Sequence, residues 1–112
     1  MPVNTTIPRA RFEPAREMAF GDITSSFTMI GTEFETNFGI LYVQNFTDKT
    51  IDFSISFDGA DVTFSLAAGE KLATDMFTNN LEIARGEAAW CQYRDAAPTS
   101  GFVQVVLISP AV

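Results

Sequence analysis

Two close pairs of carboxylates are the first residues here that could do chemistry: Glu33 with Glu35, and Asp58 with Asp61. Paired carboxylates serve glycoside hydrolysis when a cleft sets their separation, one as acid and the other as base or nucleophile. The stretch Asp58-Gly59-Ala60-Asp61 also offers oxygens to Ca²⁺, but it lacks the spaced ligand series of an EF-hand loop. A chain this small leaves little room for a sugar cleft, so neither pair is read as catalytic, and Asp58-Gly59-Ala60-Asp61 reads instead as polar turn residues. The chain has no histidine, which removes the commonest general base, the commonest metal ligand and the usual partner of a Ser or Cys nucleophile. Cys91 stands in an apolar run beside Trp90, with only Arg94 near it in sequence. A reactive thiolate needs a cation or a helix N-terminus beside it, so Cys91 reads as a small core residue. Trp90, Tyr42 and Tyr93 could stack on sugars as in a lectin, yet each lies inside an apolar strand pattern that favours packing. No catalytic, cofactor-binding or metal-ligating residue is assigned, and the chain is read as a non-enzyme.

The elements that would position these residues are β in character. Ile51, Phe53, Ile55 and Phe57 alternate with Asp52, Ser54 and Ser56. After Asp58-Gly59-Ala60-Asp61 the apolar set continues as Val62, Phe64 and Leu66. This predicts a β-hairpin with a four-residue connection and one face in the core. Upstream, Ile23, Ser25, Phe27 and Met29 share one face of an expected strand ended by Gly31. Phe38–Phe46 is the next, and its centre Ile40-Leu41-Tyr42-Val43 is apolar on both faces. Such a strand is central and covered on both sides, or has an outer face that meets a partner. Asn45–Lys49 and Ala67–Glu70 supply turns. Further strands are expected over Lys71–Phe77, around Leu81 and Ile83, over Glu87–Arg94 and over Phe102–Ile108, with breaks at 78–80 and 95–101 and a stop at Pro110. Residues 15–20 fit a short helix opened by Pro14 and closed by Gly21, or a strand in which Arg16, Met18 and Phe20 alternate. The β character of the remainder of the chain favours the strand. Seven or eight short strands without a long helix predict an antiparallel β-sandwich, jelly-roll-like in form, over residues 15–112.

Residues 1–14 read as an extended N-terminal arm. Pro2, Pro8 and Pro14 disfavour helix, and the segment is too polar to fold without a surface to lie on. Of the 112 residues, 46% are hydrophobic and 11 are Phe, against 19% charged. A small domain has little interior for so many rings, so part of this apolar surface is expected to meet another chain. Charge is divided unevenly. Through residue 16, Arg9, Arg11 and Arg16 stand against Glu13, a balance of +2; the other 4 bases face 13 acids, a balance of −9. An acidic body repels nucleic acid and anionic membranes, whereas a basic arm suits an acidic neighbour. Arg9, Arg11 and Phe12 are therefore the expected partner contacts. Neither a signal peptide nor a membrane span is expected, and the Asn4-Thr5-Thr6 and Asn45-Phe46-Thr47 glycosylation triplets read as chance.

The succession MAFGDITSSFTMIG, ILYVQNFTDKTIDFSISFDG, LAAGEKLATDMFTNN and APTSGFVQVVLI resembles a group of small virion proteins of tailed bacteriophages, over about Arg9 to Ile108. In that group an arginine-containing arm leads into an "AFG.I" segment. An apolar strand ending in "N.TD", then "FS.DG", "L.AG" and a closing strand, completes the pattern. The resemblance implies an oligomeric structural subunit of the virion that contacts copies of itself and other virion proteins. Capsid decoration or cementing, with the major capsid protein as partner, is the preferred role. A neck or tail ring (adaptor or fibre attachment) is one alternative, and a carbohydrate-binding module is another. The resemblance supplies no active-site residues and no cofactor.

Overall fold

The computed structural model of the chain describes residues 9–35, 37, 39–75 and 83–111. Arm residues 1–8, the expected strand start at Phe38, and the expected features over residues 76–82 lie outside them. The described strands are β1 (Arg9–Phe12), β2 (Arg16–Ala19), β3 (Thr28–Met29), β4 (Ile40–Asn45), β5 (Ile51–Ser56), β6 (Phe64–Leu66), β7 (Lys71–Asp75), β8 (Ala88–Tyr93) and β9 (Phe102–Ala111), with one 3₁₀ turn at Phe20–Asp22. They form two antiparallel sheets packed face to face. Sheet A has the order β1-β9-β4-β7, with β2 also paired to β9; sheet B has the order β3-β8-β5-β6. From β2 to β9 the chain changes sheet at every connection except the β5–β6 hairpin, so nearly every loop ties the two layers together.

Alternation builds the core. Leu41 and Val43 of β4 and Val103, Val105 and Leu107 of β9 point inward from sheet A. Ile51, Phe53, Leu66, Ala89 and Cys91 point inward from sheet B, and Ile23, Ile30, Phe34 and Ile83 plug the ends from the connections. Phe53 and Phe64 stack across the hairpin with ring centroids 5.3 Å apart, a contact of aromatic cross-strand type.

Residues 15–20 adopt the strand form over Arg16–Ala19. β1 and β2 lie end to end along one side of β9. Phe12 stands opposite Ile108 and Arg16 opposite Val105, so the three residues Glu13–Ala15 face only Val106 and Leu107. One extra residue makes a bulge, and it holds Pro14, which has no N–H to give. The bulge reverses the alternation. Phe12 points outward, and both Glu13 and Arg16 are buried.

Several local expectations are corrected. The strand expected over Ile23–Met29 is confined to Thr28–Met29. Its first half is diverted by Thr24, whose hydroxyl donates to Ser26 O and accepts from Ser26 N, a side-chain turn that competes with the ladder. Phe57 does not follow Ile55 into the core but is 66% exposed, and Val62 is exposed as well. β5 ends at Ser56 and β6 begins at Phe64, so the connection runs over 57–63 and is longer than four residues. Asp52 and Ser54, on the outward side of β5, are buried too. Pro110 does not stop β9; it pairs with Ala10. The β4 ladder ends at Ile108, so Pro110 sits where the described partner lies on one side only, the place a missing N–H is tolerated.

Candidate interaction surface

The two outer faces of the sandwich differ in chemistry. On sheet B the outward Asp52, Ser54, Ser56, Ser65 and Gln92 are polar, and Trp90, Ala88 and Met29 share their side. Asp52 Oδ1 accepts from Ser65 Oγ at 2.6 Å and pairs with Arg94 at 3.0 Å. Its Oδ2 accepts from Gln92 Nε2 at 3.3 Å. Beside this network the 57–63 connection folds back over Trp90. The indole N–H donates to Ser56 O at 3.2 Å, and Gly59 N donates to Ser56 Oγ. Gly59 has φ +65, and a Cβ there would come 2.5 Å from Trp90 Cδ2. Glycine is required because only a bare backbone can lie on the ring at that φ. Asp58 Oδ1 accepts from Ala60 N, the self-bonded turn typical of aspartate. The acidic loop thus caps Trp90, and the indole is no free platform for a sugar.

On sheet A the outward positions are mostly apolar. Register places Phe12, Ile108 and Ile40 in one cross-strand row that ends at the position of Asp75 on β7, with Val106, Tyr42 and Ala73 in the next. Phe12 is 63% and Tyr42 40% exposed. Toward the other end of the sheet, the Phe46 and Phe102 rings meet at 4.8 Å, with Phe46 exposed. Between these apolar parts runs a single polar row, Glu17–Gln104–Gln44–Lys71. Within it Gln104 Nε2 donates to Glu17 Oε1 at 2.8 Å. The centre of Ile40-Leu41-Tyr42-Val43 is therefore covered on its inner face, while its outer face is open among the described residues. A shallow cleft of about 400 Å³ borders this face, lined by Tyr42, Gln44, Lys71, Leu72 and Ala73.

Of the three expected contacts, Phe12 belongs to this apolar face. Arg9 and Arg11 lie in β1, paired through the backbone with Ala111 and Ser109. Arg16, counted with the arm's arginines only in the charge balance, lies in β2. It is buried, its Nη2 bonds Glu13 Oε1 at 2.9 Å, and it donates to Thr32 O and Glu33 O. Its guanidinium lies 5.2 Å from the Phe34 ring centroid. This cluster clamps the loop after β3 against the bulged edge strand. The sequence around Arg16 gave no sign of it; only the bulge turns Arg16 inward.

Asn45 is a second structural residue, hidden in what read as a turn. It is 0% exposed. Its Nδ2 donates to Lys49 O, Leu66 O and Ala67 O, and its Oδ1 accepts from the Thr47 amide and hydroxyl. The amide thereby ties the β4–β5 turn to the β6–β7 turn, and it is closed to glycosylation. The neighbouring Asp48 accepts from Thr99 N and Oγ1. The bond from the Thr99 hydroxyl, with that from its amide, holds the Asp48 carboxyl below its ordinary pKa.

Glu33, Glu35, Asp58 and Asp61 are all exposed. Among the described residues no three His, Cys, Asp or Glu side chains are grouped so as to hold a metal ion. Cys91 is buried, and desolvation pushes its thiol up to about 12, which keeps it protonated and inert near neutral pH. No described helix is long and apolar enough to cross a membrane. No protein-family model matches the chain, and no curated protein matches it in sequence.

Proposed function

We propose that this chain is a structural subunit of a tailed-bacteriophage virion, one that decorates or cements the capsid by packing apolar surface against neighbouring subunits. The observation that carries the reading is the open outer face of sheet A, where Phe12, Ile40, Tyr42, Val106 and Ile108 adjoin. A soluble domain that presents so much contiguous apolar sheet gains by covering it. The strand orders also fit a jelly roll, with β1 and β2 counted as one interrupted edge strand. That architecture recurs in capsid and lectin domains, although architecture alone does not assign a role. The basic arm, through Arg9 and Arg11, adds contact with an acidic neighbour. Binding only the assembled lattice would stabilise it by mass action.

A tagged chain is expected to co-sediment with intact particles in a density gradient, and Tyr42→Asp or Val106→Glu to abolish this while leaving the isolated domain folded. Replacing Arg9 and Arg11 by Ala is expected to weaken incorporation. Removing residues 1–14 is the poorer test, because it takes away β1 and Glu13 along with the arm. Full incorporation of the outer-face variants would refute the reading. A carbohydrate-binding module is the second reading, favoured by the cleft beside Tyr42, whose volume lies within the range of small-ligand sites. Glycan binding lost on Tyr42→Ala would support it.

A further inference from the structure

We infer that the outer faces of sheet A from two copies of this chain pack on each other about a two-fold axis parallel to the strands. The inference rests on the reading of that face as a contact surface, and it names the occupant. The polar row supplies the reason. Glu17 lies at one side of the sheet on β2 and Lys71 at the other on β7, with Gln104 and Gln44 between them. Both Glu17 and Lys71 are exposed.

A closed two-fold contact must be self-complementary: what residue i meets as j, j meets as i. Rotation about an axis along the strands exchanges the two sides of the sheet. It sets Glu17 of each copy over Lys71 of the other, and Gln44 over Gln104. The same operation sets Tyr42 over Val106 and Ile40 over Ile108 at the centre of the face, and the position of Phe12 over that of Asp75 at its margin. Rotation about the other in-plane direction, centred on the polar row, would stack Lys71 on Lys71 and Glu17 on Glu17. Like charges across an interface oppose association, so the charge pattern selects the first axis. The aligned packing of sheets, at roughly 30° between strand directions, accommodates such a pairing. Sheet B lacks this property, because Asp52, Ser65, Gln92 and Arg94 bond one another on its outer side and Gly59 lies over Trp90 beside them.

The test is sedimentation equilibrium of the full chain from about 1 to 200 μM, with thermal melts to confirm folding. The wild type is expected to dimerise. Lys71→Glu is expected to weaken the dimer about tenfold or more, since each copy then places like charges in both exposed pairs. Combining Lys71→Glu with Glu17→Lys is expected to restore the constant to within about threefold, because the exchanged charges again meet their opposites. Val106→Glu is expected to give a folded monomer. A wild type that stays monomeric throughout overturns the dimer, as does a dimer indifferent to Val106→Glu. A dimer weakened by Lys71→Glu but not rescued by the exchange overturns the two-fold arrangement. A monomer whose incorporation into particles is still lost on Val106→Glu refutes this inference and leaves the virion reading standing.

Discussion

Replacing Asn45 by Ala removes two donors and an acceptor from the junction between the β4–β5 and β6–β7 turns. Three carbonyls lose a partner, those of Lys49, Leu66 and Ala67, and so do the amide and hydroxyl of Thr47. The bonds to Leu66 O and from the Thr47 amide and hydroxyl are fully buried, and water cannot replace them without opening the turns; the hydroxyl keeps Lys49 O as an acceptor, which leaves two groups without a replacement. Each buried polar group left unpaired costs about 1–3 kcal/mol. With two such groups, and a smaller loss at the partly exposed ones, the expected destabilisation is about 3–5 kcal/mol. That is a large part of the stability of roughly 5–15 kcal/mol typical of a domain. Urea unfolding measures it, as a fall in midpoint at unchanged slope. Asn45→Asp sharpens the test. It keeps the acceptor but turns a carboxylate toward three carbonyl oxygens, so burial and repulsion raise its folded-state pKa above the unfolded value. The penalty is then present at neutral pH and shrinks as pH falls through the raised pKa, where the protonated acid can donate one bond. A loss below about 1 kcal/mol for Asn45→Ala, or a pH-independent deficit for Asn45→Asp, would refute the view that this amide holds the turns together.

Arg16→Ala, which leaves Glu13 buried without its arginine, is expected to cost about 3–5 kcal/mol in urea unfolding, and Glu13→Leu combined with Arg16→Met to recover most of it. Gly101 has φ +87, and a Cβ there would overlap the Phe46 carbonyl oxygen. Gly101→Ala is therefore expected to lower stability by about 3 kcal/mol or more in a calorimetric melt. The lowered pKa of Asp48 means that its bonds to Thr99 stabilise the fold above the unfolded-state value of 3.8 and fade as pH drops through the folded one. The melting difference between wild type and Asp48→Asn should accordingly narrow on acidification below about pH 4, and an NMR titration of the Thr99 amide should follow the same curve.

The functional reading moves weight from the arm to the sheet. Charge asymmetry made Arg9, Arg11 and Phe12 the expected contacts. The register adds Phe12 to an apolar face that it shares with Ile40, Tyr42, Val106 and Ile108, residues from three strands far apart in the chain. If that face pairs two copies, the arm contacts and the cleft near Tyr42 become parts of one assembled surface rather than separate sites.

Alternation in Ile51–Ser56 was enough to place that strand and its apolar inner side, because a period of two is a local property of the chain. Ile40–Val43 and Phe102–Ile108, apolar on both sides, marked strands without showing which side is buried. Other features arise only where segments distant in sequence meet. The bulge at Pro14 reverses which way Arg16 points, and no local pattern reveals a reversal that depends on pairing with Val105 and Ile108. Asn45 looked like any turn residue, since its acceptors at Leu66 and Ala67 come from the β6–β7 turn, distant in sequence. Phe57 and Val62 left the core because the connection between them was drawn over Trp90, a residue of a distant strand. Strand positions could be read along the chain; which outward rows become neighbours was decided by strand order and register.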